Sequence, residues 1–515
     1  MNFEINQLIL TLLIFFPLVG AIVVALLPEK LARGSALVVA AITFLFTLHL
    51  WANWGASTPA DGYRFVQSLP WLPQLGLTYH LGVDGISAGL IILTGFVTLA
   101  ALLFGWNEIQ TRVKSFVVCI LLLESFAIGV FCALDVILFY VFFEAVLIPT
   151  YIMIAGWGGE KRAQASIKLF CYTMAGSVFL WIAALYLYFQ PAAARSFEIA
   201  SLQAAGQAVD GSAPTLALWL FAAFALAFAI KTPLFPFHTW QPLAYEQAPT
   251  STTILLAAVL SKMGTYGFIR FAIPFFPKAA TVAAPVMIAL ALISIIYGAM
   301  IAIRQNNIKR VFAYSSLSHL GFVVLGIFVA LIATEHGAVA LSGATIQMIA
   351  HGITTAALFG VAGVLWQRRG NLSRDQFGGL AAVMPRFTSL FWIVLFASIG
   401  LPGLCNFVGE YLILQGTIAV NFWYALIAVT SVIWGAIYML RLCRDLMFGE
   451  VNLEVNRKLP DIGRRETVAL GLLILAALWI GIMPQPLLDV INPDTQKFSE
   501  LAQTVTIPPT TLAQR

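Results

Sequence analysis

The sequence predicts an all-α integral membrane protein of about 14 transmembrane helices, and three observations predict it. Of its 515 residues, 60% are hydrophobic and 10% charged, against about 25% charged in a soluble domain. The apolar residues gather in runs near the roughly 20 residues that an α-helix needs to cross the hydrocarbon. No polar stretch between runs is long enough for a separate soluble domain.

Helix 1 starts near residue 7, in LILTLLIFFPLVGAIVVALL. No basic residue precedes it and no small-residue cleavage site follows, so it reads as a retained helix and not a signal peptide. Helices 2 and 3 start near residues 34 and 84, and helices 4 to 8 near 115, 135, 168, 215 and 250. Helices 9 to 13 start near 282, 310, 339, 388 and 422, and helix 14 near 467.

Two of these runs are interrupted. KTPLFPFHTWQP places Pro233 and Pro236 just after Lys231 in helix 7, and ASIGLPGLCNFVGE places Leu401, Pro402 and Gly403 ahead of Glu410 in helix 12. Proline removes a donor and clashes with the preceding turn, freeing carbonyls that protein or water must satisfy. Paired interruptions five helices apart point to two repeats, helices 4 to 8 and 9 to 13, and an odd repeat length makes them inverted. The expected divisions are 1–114 for helices 1 to 3, 115–272 and 282–448 for the repeats, and 449–515 for a loop, helix 14 and a tail.

Orientation follows from the basic residues. Loops after odd-numbered helices hold about 20 of the 28 lysines and arginines, the opposite side about 6, and Lys231 and Lys262 are the other 2. This asymmetry places both termini outside the cytoplasm and accounts for the net charge of +5 without a nucleic-acid partner. The five cysteines lack CxxC spacing and lie in or at the ends of apolar runs, where they read as buried structural thiols. No metal, haem or cluster ligand set is apparent, and neither GxGxxG nor GxxxxGK[ST] occurs.

Ionisable residues inside the apolar runs carry the functional signal. Glu144 lies in VILFYVFFEAVLIPTYIMIA, Lys231 ends LFAAFALAFAIK, Lys262 sits mid-run in TILLAAVLSKMGTYGFIRFAI, and Glu410 in CNFVGEYLILQGTIAV. Such a group near the bilayer centre costs roughly 2.5 kcal/mol or more, which chains tolerate where it pairs, lines a water cavity or carries ions. An ion or proton pathway is the default reading.

A Glu144–Lys231 pair would hold both groups ionised. Lys262 has no acidic neighbour within its helix, and a buried lysine can exchange a proton near neutrality. Its helical neighbours include Tyr266 and Ser261. His319 has Ser315 one turn before it, His351 has Gln347 before and Thr354 and Thr355 after, and His238 follows the first break. Histidine passes protons through its two nitrogens near neutral pH. Glu124, within CILLLESFAIGVF, is a further candidate for the path or for a structural pair, while Asp84 and Glu108 mark interface positions. His49, His80 and His336 fall near membrane ends and read as structural.

At these residues the chain resembles the antiporter-like subunits of respiratory complex I, which share ancestry with the Mrp sodium/proton antiporter subunits. GVDGIS, FEAVLIPTYIMIAGWGG, KTPLFPFHTW, LLAAVLSKMGTYGFIRF, QNNIKRVFAYSSLSHLGFV, QMIAHGITTAALF and LPGLCNFVGE carry the likeness across nearly the whole chain. Glu410 makes it most similar to the M-type member (the NuoM family, chain 4 of the mitochondrial set), because L-type, N-type and Mrp subunits usually present lysine there.

The resemblance implies two half-channels joined by a central hydrophilic axis. Glu144 and Lys231 would form the ion pair, Lys262 the central lysine, His319 and His351 the connecting histidines and Glu410 the terminal acid. It implies proton translocation driven by NADH:quinone oxidoreductase chemistry elsewhere: NADH, FMN, iron–sulfur clusters and quinone would belong to other subunits. The neighbours would be L-type and N-type subunits, in a bacterial-type inner membrane. A Mrp-type antiporter subunit and the membrane arm of a hydrogenase or ferredoxin-fed complex stay open as alternatives. One departure stands out. Where the family commonly reads W-L-P-D-A-H, this chain has Trp240-Gln241-Pro242-Leu243-Ala244-Tyr245, which puts a proton-entry role for that segment in doubt.

Overall fold

The computed structural model describes residues 2–60, 62–333, 336–451 and 454–503. The expected tail beyond 503, with Arg515, lies outside the described residues.

Among the described residues thirteen helices are long and apolar enough to span a membrane, and a fourteenth is assembled from two shorter pieces. Helices 1 to 6 are Asn2–Leu26, Glu29–Ala52, Gly85–Phe104, Val113–Cys132, Val136–Trp157 and Arg162–Tyr188. Helix 7 is Pro214–Lys231 followed, after a break, by Gln241–Gln247. Helices 8 to 11 are Thr250–Phe275, Pro277–Arg304, Ile308–Ile332 and Gly337–Arg369. Helix 12 comprises Pro385–Ile399 and Cys405–Val420, and helices 13 and 14 are Phe422–Met447 and Arg464–Ile482.

Both breaks have identifiable chemistry. In helix 12, Gly400 adopts φ +84°, a left-handed conformation open to glycine at little cost. Its N–H bonds Ala397 O at 3.4 Å and the Leu401 N–H bonds Phe396 O at 3.1 Å, the two bonds of a Schellman ending. In helix 7 the chain leaves the ladder after Lys231. The Trp240 indole N–H caps the Ile230 carbonyl at 3.0 Å, and the Phe235 N–H bonds Ser294 Oγ of helix 9 at 3.0 Å. Protein groups therefore satisfy the freed backbone, as a membrane interior demands.

Loops after odd-numbered helices meet one another on one face. Thr250 N–H bonds Glu108, Gly159 N–H bonds Gln247 O, Ile308 N–H bonds Leu372 O, and Arg368 pairs with Glu466 at 2.6 Å. The opposite face carries an element the helical reading of the sequence did not anticipate. It is an antiparallel hairpin of strands Arg64–Leu72 and Leu77–Val83, in which Ser68 pairs with His80. Beside it lie a short helix Ile199–Ser212 and the final helix Gln485–Gln503.

Helices 8, 10 and 11 are almost wholly enclosed by the others, so their apolar residues run all round the helix and leave no polar face to read. Four cysteines are buried as expected. Cys171 is exposed, because it lies on the outward face of helix 6 beside Ile167 and Phe170.

Candidate functional site: a buried polar line through the enclosed helices

Helix 8 places Lys262 by an irregularity. Wider π-helical turns at Leu256–Leu260 and Phe268–Ala272 flank the regular segment Ser261–Gly267. Such turns offset the hydrogen-bond ladder by one residue and often mark functional sites. Here the Ala257 carbonyl accepts from both Ser261 Oγ, at 2.9 Å, and Lys262 Nζ, at 2.6 Å. The lysine is completely buried.

From Lys262 a series of buried polar groups crosses helices 11, 10 and 12. Its Nζ meets His351 Nδ1 of helix 11 at 2.8 Å. The His351 and His319 rings lie 5.5 Å apart, centre to centre. His319 Nδ1, on helix 10, meets Glu410 Oε1 at 2.7 Å, and Gln347 Nε2 donates to the same oxygen at 3.1 Å. Nε2 of each histidine is buried with no hydrogen-bond partner among the described residues. Three enclosed helices and the second piece of helix 12 thus present amine, imidazole, imidazole and carboxylate in series, each able to hold or release one proton. Glu410 also abuts the helix 12 break: a Cβ on Gly400 would come within 3.2 Å of its Oε2.

The first half of the molecule is arranged differently. Lys231 Nζ donates to the Phe143 carbonyl at 3.0 Å and stands 4.2 Å from the centre of that residue's ring. Glu144 follows Phe143 in the chain. Its two carboxyl oxygens are buried without a hydrogen-bond partner among the described residues, so the lysine contacts the carbonyl before Glu144 and not its carboxylate. Glu124 is fully buried in helix 4, both oxygens likewise unpartnered.

Other candidates are placed elsewhere. His238 packs on the rings of Phe235 and Tyr297, with centres 5.7 and 5.1 Å away, and its Nδ1 is buried with no hydrogen-bond partner among the described residues. Ser315 bonds the Tyr438 hydroxyl of helix 13 at 2.8 Å instead of serving His319. Gln347 serves Glu410 instead of His351, Thr355 bonds back to its own helix, and Thr354 does so while also donating to Asn406 Oδ1 of helix 12 at 3.3 Å.

Tyr266 donates to Phe131 O at 3.3 Å and accepts from Arg270 Nε at 3.1 Å, which ties it to a cluster on the hairpin face. There Arg270 pairs with Asp84 at 2.5 Å and donates to the Tyr63 hydroxyl at 3.0 Å. Arg270, Tyr438 and Tyr63 were not singled out as site residues. Asp84, Tyr63 and Ser315 sit on other elements than the residues they bond, and only the Tyr266–Arg270 spacing of four, within helix 8, was open to sequence reading.

A family model described as the NADH:quinone oxidoreductase/Mrp antiporter transmembrane region matches residues 133–434. The NADH-quinone oxidoreductase subunit M of Rickettsia prowazekii is 38% identical over 493 residues, covering 94% of this chain and 97% of the relative. A chain of respiratory complex I from Thermus thermophilus superposes with a TM-score of 0.84 at 32% identity, over 96% of this chain and 99% of that one. A chain of the Mrp complex from Dietzia superposes at 0.83 but only 19% identity, over 97% and 99%, a likeness of fold. The chain therefore belongs to the NADH:quinone oxidoreductase/Mrp antiporter family, and within it to the group of the subunit M proteins.

Proposed function

We propose that this chain is the M-type membrane-arm subunit of a proton-pumping NADH:quinone oxidoreductase and that it translocates protons along Lys262, His351, His319 and Glu410. The single observation that carries the reading is the series of buried titratable groups on helices 8, 11, 10 and 12, in which Lys262 meets His351, His319 meets Glu410 and the two imidazoles lie 5.5 Å apart between them. Burying four such groups is costly in a bilayer, and hydrogen bonding among them offsets that cost while leaving a proton free to change places.

In this reading Glu144 and Lys231 set the charge at the entry to the line, acting across the Phe143 carbonyl. Glu124 and His238 are supporting polar positions. The divisions 115–272 and 282–448 are inverted repeats, each contributing a half-channel, with the breaks after Lys231 and before Glu410 in corresponding places. NADH, flavin, iron–sulfur clusters and quinone belong to partner subunits, and L-type and N-type subunits flank this one. The basic face is cytoplasmic and both termini lie on the other side of a bacterial-type inner membrane.

A Mrp-type antiporter subunit is the second reading. Glu410, where the resemblance sets lysine in those subunits, favours the first. The test is Lys262→Ala in the intact complex in inverted membrane vesicles. The expected outcome is an assembled complex whose NADH-driven proton uptake and quinone reduction both collapse. Native proton uptake in that variant would refute the reading.

A further inference from the structure

Glu410 stands on a helix piece cut off from the one before it, and helix 11 holds that piece in place. The piece Cys405–Val420 begins after the break, where Leu401 and Pro402 are exposed. It lies backbone to backbone on helix 11: a Cβ on Gly343 would come 2.7 Å from Ile413 N and 3.0 Å from Gly409 O. Small residues permit such an approach between membrane helices. Two side-chain bonds then join the helices. Gln347 Nε2 donates to Glu410 Oε1 at 3.1 Å, and Thr354 Oγ donates to Asn406 Oδ1 at 3.3 Å. Asn406 and Glu410 are one turn apart on helix 12, and Gln347 and Thr354 bracket His351 on helix 11.

Gln347 has little freedom of its own. Its side chain is fully buried, and its Oε1 lies against Gly409, where a Cβ would come 2.5 Å from that oxygen and 2.8 Å from the Gln347 Cα. Oε1 has no hydrogen-bond partner among the described residues. A buried acceptor left unmade destabilises the fold, and an apolar side chain would fill the same space without that cost. What the amide supplies is the donor at its other end. The two oxygens of Glu410 thereby differ. Oε1 takes the Gln347 amide and meets His319 Nδ1 at 2.7 Å, while Oε2 faces the break at Gly400. A carboxyl turns about its last bond over a broad, roughly two-fold range, so without Gln347 either oxygen can swing to the break.

We propose that Gln347 is the positioning residue of the terminal acid: its amide clamps Glu410 Oε1 at His319, so that the imidazole always faces the same oxygen at hydrogen-bond distance. The inference rests on the reading of Lys262, His351, His319 and Glu410 as the proton path. When a proton passes from His319 to Glu410, the Nδ1–H bond breaks and an Oε1–H bond forms, the imidazolium losing its positive charge and the carboxylate its negative one. Gln347 exchanges no proton and acts through Glu410. The titratable groups that face it are Glu410 of helix 12, His319 of helix 10 at the same oxygen, and His351 one turn along its own helix.

The experiment compares Gln347→Met, Gln347→Glu and Lys262→Ala in the assembled complex in inverted vesicles. It measures NADH-driven proton uptake per assembled complex, relative to native, from mildly acid to alkaline pH. Methionine is unbranched and fills the same space, but it cannot donate. The introduced glutamic acid donates in the glutamine's place while protonated and repels Glu410 once ionised. The expected result for Gln347→Met is a fall of roughly tenfold at every pH, the factor for one lost buried hydrogen bond. Gln347→Glu should approach the native rate at the acid end and fall away as pH rises. Native rates in Gln347→Met beside an inactive Lys262→Ala would overturn the clamp and leave the proton path standing. A relative rate in Gln347→Glu that does not change with pH would also overturn it, making Gln347 a packing residue. A native Lys262→Ala would remove the reading beneath it. Should Gln347→Met assemble poorly, the pH profile of Gln347→Glu decides by the same criterion.

Discussion

Glu410 accepts from Gln347 and meets His319 at 2.7 Å, so one buried hydrogen bond joins the carboxyl to the imidazole. A hydrogen bond to a charged group contributes about 1.5–3 kcal/mol. Glu410→Gln keeps the size and removes the charge. It should leave assembly intact and lower NADH-driven proton uptake by roughly tenfold or more. Glu410→Lys places a cation opposite His319 and should be at least as damaging; native uptake in both would reduce Glu410 to a family marker. At Lys231 the expectation differs. Glu144→Gln leaves the ammonium its Phe143 carbonyl but no counter-charge, and stranding a buried charge costs about 3–5 kcal/mol. Proton uptake and quinone reduction should fall together in an assembled complex, and normal pumping would remove Glu144 from the path. Lys262, His319, His351 and Glu410 were legible because each is an ionisable residue in an apolar run. Their order was not, since it depends on which faces of helices 8, 10, 11 and 12 meet. For the same reason Gln347 was assigned to His351, its neighbour one turn along, when across the interface it serves Glu410.

Among the elements, the hairpin, helix 3 and helix 8 are joined by one buried ion pair. Burial alone would push the Asp84 carboxyl up. The Arg270 guanidinium, aided by the Ser87 N–H, outweighs burial and holds it below its ordinary 3.8. A carboxyl held low stabilises the fold at pH above the ordinary carboxylate value and loses that contribution only as pH falls through its lowered value. Thermal stability of the assembled complex should therefore show no Asp84-dependent change from mildly acid to alkaline pH. Asp84→Asn, which strands Arg270, should lower stability by about 3–5 kcal/mol, seen as a reduced melting temperature or lost assembly; an unchanged melting temperature would show the pair to be dispensable. The 14 spans and both breaks were readable because length, proline and glycine are local signals. The hairpin was not. Val66, Leu69, Trp71 and Leu72 all point outward, so its first strand lacks the alternation that marks a half-buried strand. The wide turns of helix 8 were equally hidden, since the chain there is apolar throughout.

For the whole molecule, the alternation of loops between two faces agrees with the charge asymmetry of the sequence. The basic loops that gather after odd-numbered helices bond one another, and the hairpin, the helix Ile199–Ser212 and the C-terminal helix occupy the other face. Between them the polar line runs from helix 8 to helix 12, across the enclosed helices and not along any one of them. Its central claim is that Lys262 works by gaining and losing a proton. Lys262→Arg tests this most directly, because guanidinium keeps the charge and scarcely deprotonates. Proton uptake and NADH oxidation measured together in vesicles holding the assembled Lys262→Arg complex should both drop to near the level of Lys262→Ala. Native rates of both in the arginine variant would contradict the account, since a fixed charge would then suffice where a proton-exchanging amine is required.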